Sequence, residues 1–109
     1  MSSTYDLNVT QGSKVDITFT LTDSGGNPID LTSYFVSGAI RSKYSDADAL
    51  VILSPSIILP NKVHLNITSA ITESLPIGIA VYDIERFITP YNVEKVISGK
   101  VLIHPEATI

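Results

Sequence analysis

Apolar and polar positions alternate along much of this chain with a period of two. Val15, Ile17, Phe19 and Leu21 are separated by Asp16, Thr18 and Thr20. Successive side chains of an extended strand point to opposite faces, so this spacing predicts a strand with one buried and one wetted face. Asp23-Ser24-Gly25-Gly26-Asn27-Pro28 follows at once and supplies the dihedrals and side-chain acceptors of a turn. The same grammar recurs. Tyr5, Leu7 and Val9 alternate over about Thr4–Thr10, and Val63, Leu65 and Ile67 alternate after Pro60-Asn61-Lys62. Tyr34–Arg41 places Val36, Gly38 and Ile40 on one face, and Gly38 inside a strand signals close approach of a neighbour or a bulge.

Two short apolar runs, Leu50–Leu53 and Ser56–Leu59, are split by Pro55. Proline lacks the N–H that a ladder needs, which predicts an edge or a crossover between sheets. Gly78–Phe87 turns Ala80, Tyr82 and Ile84 one way and Asp83 and Glu85 the other. In Val93–His104 the inner positions read as Val96, Gly99, Val101 and Ile103. Ser69–Pro76 is the one helical segment, capped by Thr68 or Ser69, with Ile71 and Leu75 on one face. These elements predict an all-β, antiparallel sandwich of seven to eight strands with one short helical turn.

Composition narrows the function classes. At 109 residues the chain holds one domain, 1–109. A chain of this size buries roughly 65% of its unfolded surface, so one core suffices. There is no cysteine, which excludes disulfides and thiolate metal sites and fits a reducing cytosol. The net charge is −4 and no Lys/Arg cluster occurs, which disfavours nucleic acid as a partner. No apolar run approaches the ~18 residues of a membrane helix, and Met1–Asp6 has no signal-peptide character. Asn8-Val9-Thr10 and Asn66-Ile67-Thr68 match the glycosylation acceptor and are read as chance in a Thr-rich strand protein.

The search for chemistry returns no catalytic, cofactor-binding or metal site. His64 and His104 stand on outward positions of separate strands, short of the three or four ligands of a zinc site. Asp16, Asp23, Asp30, Asp46 and Asp48 lack the density of a calcium loop, and Asp23 and Asp30 read as turn formers. Asp83 and Glu85 could form an acid/base pair but read as a solvated face partnered by Lys95 or Lys100. Gly25-Gly26 has no phosphate-loop lysine, and no G-x-S-x-G elbow occurs. The expectation is a non-enzyme. What remains is surface: Tyr34, Phe35, Tyr44, Phe87, Ile88 and Tyr91 near strand ends, and Ile97 and Leu102 out of phase with the inner face of the last strand. Of these, Tyr34, Tyr44, Phe87, Tyr91, Ile97 and Leu102 are the candidate interface. The run Leu50–Leu59 is a second candidate contact.

The order of several short motifs resembles phage virion modules of the Ig-like type. It is similar to the N-terminal domain of baseplate upper proteins and related tail or fibre proteins. The motifs are Tyr5-Asp6-Leu7 with Gln11-Gly12, the Asp23–Thr32 turn, Ile40-Arg41, Leu75-Pro76-Ile77-Gly78, Val81-Tyr82-Asp83-Ile84-Glu85 and Gly99-Lys100-Val101. The resemblance spans almost the whole chain. It implies an Ig-like sandwich acting as a virion structural protein assembled in the host cytoplasm, whose partners are other virion proteins or further copies of itself. Such modules usually carry a C-terminal fibre, whereas this chain stops at Ile109, which is read as a stand-alone adaptor or decoration subunit. The alternative is a carbohydrate- or receptor-binding sandwich using Tyr34, Tyr44 and Tyr91.

Overall fold

The computed structural model describes residues 3–23, 25–43, 49–89 and 92–105. Nine strands and one helix follow in order: β1 (Ser3–Thr4), β2 (Leu7–Thr10), β3 (Val15–Thr20), β4 (Phe35–Arg41), β5 (Val51–Leu53), β6 (Ser56–Ile58), β7 (Lys62–Ile67), α1 (Ser69–Ser74), β8 (Gly78–Phe87) and β9 (Val93–His104). They form two sheets. The larger has the order β1-β9-β8-β4-β5, with β2 also on β9; the smaller is β3-β7-β6. The run expected as one first strand is broken at Tyr5-Asp6 into β1 and β2, and both pair with β9 in parallel. Every other ladder is antiparallel.

Alternation decides which side chains enter the core. Leu7, Val9, Phe19, Val63, Leu65, Ile67, Ala80, Tyr82, Ile84, Val101 and Ile103 fill the space between the sheets. Burial of each large aliphatic stabilises the fold by about 1.5–3 kcal/mol before ordering costs. Leu31 and Leu75 close the ends. Pro55 falls at the crossover: β5 belongs to the larger sheet and β6 to the smaller. Gly38 lies where its neighbours come close, since a Cβ there would meet the Asp83 carbonyl oxygen at 2.9 Å and the Leu53 Cβ at 3.4 Å.

The ends are tied by polar contacts. Thr68 is the N-cap of α1, and its hydroxyl accepts from the Ile71 N–H at 3.4 Å. Thr72, fully buried, donates its hydroxyl to the Ser13 carbonyl at 2.8 Å, and Gln11 Nε2 donates to the Leu75 carbonyl at 2.7 Å. These bonds hold α1 under the β2–β3 turn. At the opposite end the buried Asn61 donates Nδ2 to the Leu21 carbonyl at 2.9 Å, while the Leu21 N–H donates to the Asn61 carbonyl at 2.8 Å. The Leu59–Pro60 bond beside it is cis.

One phase assignment is overturned. Ile97 is buried, 2% exposed, and pairs with Ile84 inside the sandwich. The β8–β9 ladder shifts register between Ile84 and Glu85, so that Glu85 opposes Lys95. Val96 is the extra residue of this bulge, and both Val96 and Ile97 are turned into the core. Ile97 therefore offers no surface.

Candidate functional site

The two outer faces of the sandwich differ in chemistry. On the smaller sheet the outward positions are Asp16, Thr18, Thr20, Lys62, His64 and Asn66, interleaved with the core residues of β3 and β7, with Ser56 and the exposed Ile58 on β6. On the larger sheet the outward positions include Phe35 (62% exposed), Ile52 (72%), Ile79 (65%) and Val93 (45%). Register puts Phe35, Phe87 and Val93 in one row at one end of this face, and Ile79 beside Leu102 at the other. Phe35 and Phe87 contact each other with ring centroids 5.8 Å apart. Exposed apolar side chains gathered on one face make it a candidate contact surface.

Between these apolar ends lies a charged middle. Asp83 is outward in phase yet its side chain is only 9% exposed, covered by Arg41 Nη1 at 3.7 Å and Lys95 Nζ at 3.5 Å. The expected partner Lys95 is present; the other cation is Arg41, not Lys100. Two cations over one carboxylate compensate much of its desolvation.

A cleft of about 530 Å³ opens at the sandwich end near Tyr34, with Asp23, Asp30, Arg86 and Glu94 among its walls. The Arg86 guanidinium stands 4.5 Å from the Tyr34 ring centroid, a cation–π contact. Its Nη2 pairs with Glu94 Oε2 at 3.3 Å and its Nη1 reaches the Asp30 carbonyl at 3.5 Å. Asp23 Oδ1 accepts from the Gly25 and Asn27 N–H groups at 2.9 and 3.0 Å. Asp30 Oδ1 accepts from the Thr32 N–H and hydroxyl at 2.9 and 2.7 Å, which holds its carboxyl below the usual aspartate range. Arg86 of β8 thus holds Asp30 and Tyr34 against the larger sheet, while the Asp23 and Asp30 carboxylates brace the turns within their own segment. Tyr34 is half-buried, and Arg86 covers one face of its ring.

On the smaller sheet Ser56 opposes His64 across β6–β7, and His64 Nε2 donates to Asp16 Oδ1 at 2.5 Å. This bond is the main cause that lowers the Asp16 carboxyl. Serine, histidine and aspartate share the face, but Ser56 makes no hydrogen bond to the ring, and the pair acts as a cross-strand tether. Among the described residues no group of three or more His, Asp or Glu could hold a metal ion. No helix among the described residues is long and apolar enough to cross a membrane.

Of the candidate interface residues, the fold brings Phe87 and Leu102 to the outer face of the larger sheet at opposite ends, and sets Tyr34 in the cleft. Tyr44 and Tyr91 lie outside the described residues. Within the run Leu50–Leu59, Leu50, Ile52, Ile58 and Leu59 are exposed. Ile52 belongs to that run, whereas Ile79 was not singled out from the sequence, although it stands in the outward phase of its strand. Arg86 carried no local signal, because its partners Tyr34, Asp30 and Glu94 come from other elements.

No protein-family model and no curated protein matches this chain. Among solved structures it is similar to the crystal structure of the titin M3 domain, with a TM-score of 0.52 over 94% of this chain and 91% of that one, at 8% identity. The chain has an Ig-like fold. At that identity the likeness speaks to architecture alone: two packed sheets, with the chemistry set by this chain's own residues.

Proposed function

We propose that this protein is a non-enzymatic structural subunit of a phage virion, a tail, baseplate, fibre-adaptor or decoration component that works by protein–protein docking. Two lines support the reading. The ordered motifs resemble baseplate upper proteins and related tail or fibre proteins, whose Ig-like architecture this fold shares. The outer face of the larger sheet exposes Phe35, Ile52, Ile79 and Val93, while that of the smaller sheet exposes one large aliphatic, Ile58, among polar side chains, and this imbalance is the observation that carries a docking role. A single small contact suffices in a virion, because repetition by symmetry multiplies weak contacts through effective concentration.

The test is to purify the source particle, identify its subunits by mass spectrometry and locate this one in a reconstruction. A defined density for the sandwich, in contact with a neighbour, is the expected result. A chain absent from the purified particle overturns the virion role.

A further inference from the structure

We infer that the outer face of the larger sheet binds a second copy of this chain, face to face, about a two-fold axis running across the strands. The inference rests on the docking role just proposed and names the partner at that face.

Area is the first argument. The path β1-β9-β8-β4-β5 is five strands wide, and β8 is 10 residues long. Since β1, β5 and β4 are shorter than β8, strands ~4.8 Å apart at ~3.3 Å per residue give a face on the order of 600 Å². A standard stable interface takes about 800 Å² from each partner, so the face alone is close to the required size.

The second argument is the distribution of apolar residues. They lie at both ends of the face: Phe35, Phe87 and Val93 in one row, Ile79 and Leu102 in the other. A two-fold axis across the strands, passing through the row of Asp83, exchanges these rows. Phe87 then meets the partner's Ile79, and Val93 meets the partner's Leu102. Ile52 opposes Ala39, and Ala39 opposes Asp83, so Ile52 lies in the axial row and meets its own counterpart.

Charge is the third. Glu85 and Lys100 have no ion-pair partner among the described residues, and they stand on either side of the Asp83 row. The same axis sets Glu85 over the partner's Val81 and Lys95 over the partner's Lys100, so each Glu85 lies next to two cations, its own Lys95 and, diagonally, the partner's Lys100. Asp83 sits on the axis, but Arg41 and Lys95 already neutralise it within its own copy. Sheets packed in this way keep their strands within about 30° of one another. The opposite face, on β3, β7 and β6, carries Ile58 beside Lys62 but no apolar rows at both ends for such an axis to exchange.

Sedimentation velocity on the intact chain, from about 1 to 100 µM, tests the inference. A reversible dimer is expected. Ile52→Asp and Ile79→Asp should each give a monomer with unchanged far-UV circular dichroism, and Thr18→Lys on the opposite face should leave the dimer intact. Glu85→Lys should weaken the dimer about tenfold at low salt, and Glu85→Lys with Lys100→Glu should restore it. A wild-type monomer at the highest concentration overturns the inference. So does a dimer that survives Ile52→Asp and Ile79→Asp, or a charge reversal that the double exchange does not rescue. A monomer in solution leaves the virion role to the particle reconstruction; a dimer absent from the particle overturns the virion role alone.

Discussion

Tyr82 and Gly99 face each other across the β8–β9 ladder, and the missing side chain of Gly99 is the space through which Tyr82 reaches a third strand segment. The Tyr82 hydroxyl donates to the Tyr5 carbonyl at 2.5 Å, while the ring itself is buried. A Cβ on Gly99 would overlap that same carbonyl group. Three chain segments far apart in sequence are joined at one point, where β1 gives way to β2. The Tyr5 ring completes the join by an edge contact on Phe19, 5.5 Å between centroids, which ties the smaller sheet to it.

Tyr82→Phe should therefore cost about 1 kcal/mol, the net value of one hydrogen bond. Gly99→Ala should cost about 1–3 kcal/mol, because the parallel β1–β2 segment must move to admit the methyl group. The two losses should not add. Once the Tyr5 carbonyl is displaced, the hydroxyl has already lost its acceptor, so the double variant should fall short of the sum in a urea-unfolding cycle. Strict additivity would show that Gly99 and Tyr82 act independently.

The Arg41–Asp83–Lys95 cluster predicts the opposite sign of coupling. Either cation alone still partners the buried carboxylate, so Arg41→Met and Lys95→Met should each cost no more than about 1 kcal/mol. Together they leave Asp83 buried without a cation, and the double variant should lose more than the sum of the singles. Asp83→Asn in the double background should recover part of the loss. The check is chemical denaturation of the wild type and the four variants under one buffer condition.

Acid should expose the two lowered carboxylates. Asp16 is held down chiefly by its hydrogen bond from His64, and Asp30 by the hydroxyl and then the N–H of Thr32. A depressed folded-state pKa means the unfolded chain binds the proton more readily. The stabilisation is complete above the ordinary aspartate range, near pH ~4, and is lost as the pH falls through the folded-state values. Thr32→Val should raise the Asp30 titration and His64→Ala that of Asp16, each seen by carboxyl-carbon NMR. Both variants should flatten the fall of Tm below pH ~4. Unmoved titrations would remove the assigned causes.

What could be read from the sequence followed the range of each signal. Alternation acts over two residues, so it located Gly78–Phe87 and Val93–His104 with the bounds the strands adopt, and it put Val63, Leu65 and Ile67 in the core. Pro55 acts on one backbone N–H, and it marked the crossover. A bulge changes phase without changing composition, so Val96 and Ile97 both look eligible for one inner position, and only the register with β8 shows that both are turned inward. Pairing partners leave no local trace either. Nothing in Leu7–Thr10 distinguishes a strand parallel to β9 from one antiparallel to β3, and nothing near Asp83 announces that Arg41 and Lys95 will cover it. The proposed docking face was legible in part: Phe87 and Leu102 stood out as aromatic or out of phase. Ile52 and Ile79 gain meaning only when β5, β4, β8 and β9 are laid side by side.

The helix α1 offers a last test of how the sandwich end is closed. Six residues are too few for a helix to persist alone, so α1 depends on its tertiary ties. Thr72 carries the main one: its hydroxyl is buried and donates to the Ser13 carbonyl at 2.8 Å, with the Ser69 carbonyl at 3.1 Å as a second acceptor. Thr72→Val preserves the shape and removes the donor, leaving the Ser13 carbonyl without this partner. A loss of about 1–2 kcal/mol is expected, the cost of a buried hydrogen bond broken from one side. Gln11→Ala removes the second tie, to the Leu75 carbonyl, from a less buried site and should cost less. Leu75 and Ile71 still pack on the core in both variants, so the helix should loosen before the sheets do. Amide exchange in Ile71–Leu75 should accelerate more than exchange in β7 or β8. Equal acceleration everywhere would mean that α1 unfolds only with the whole domain.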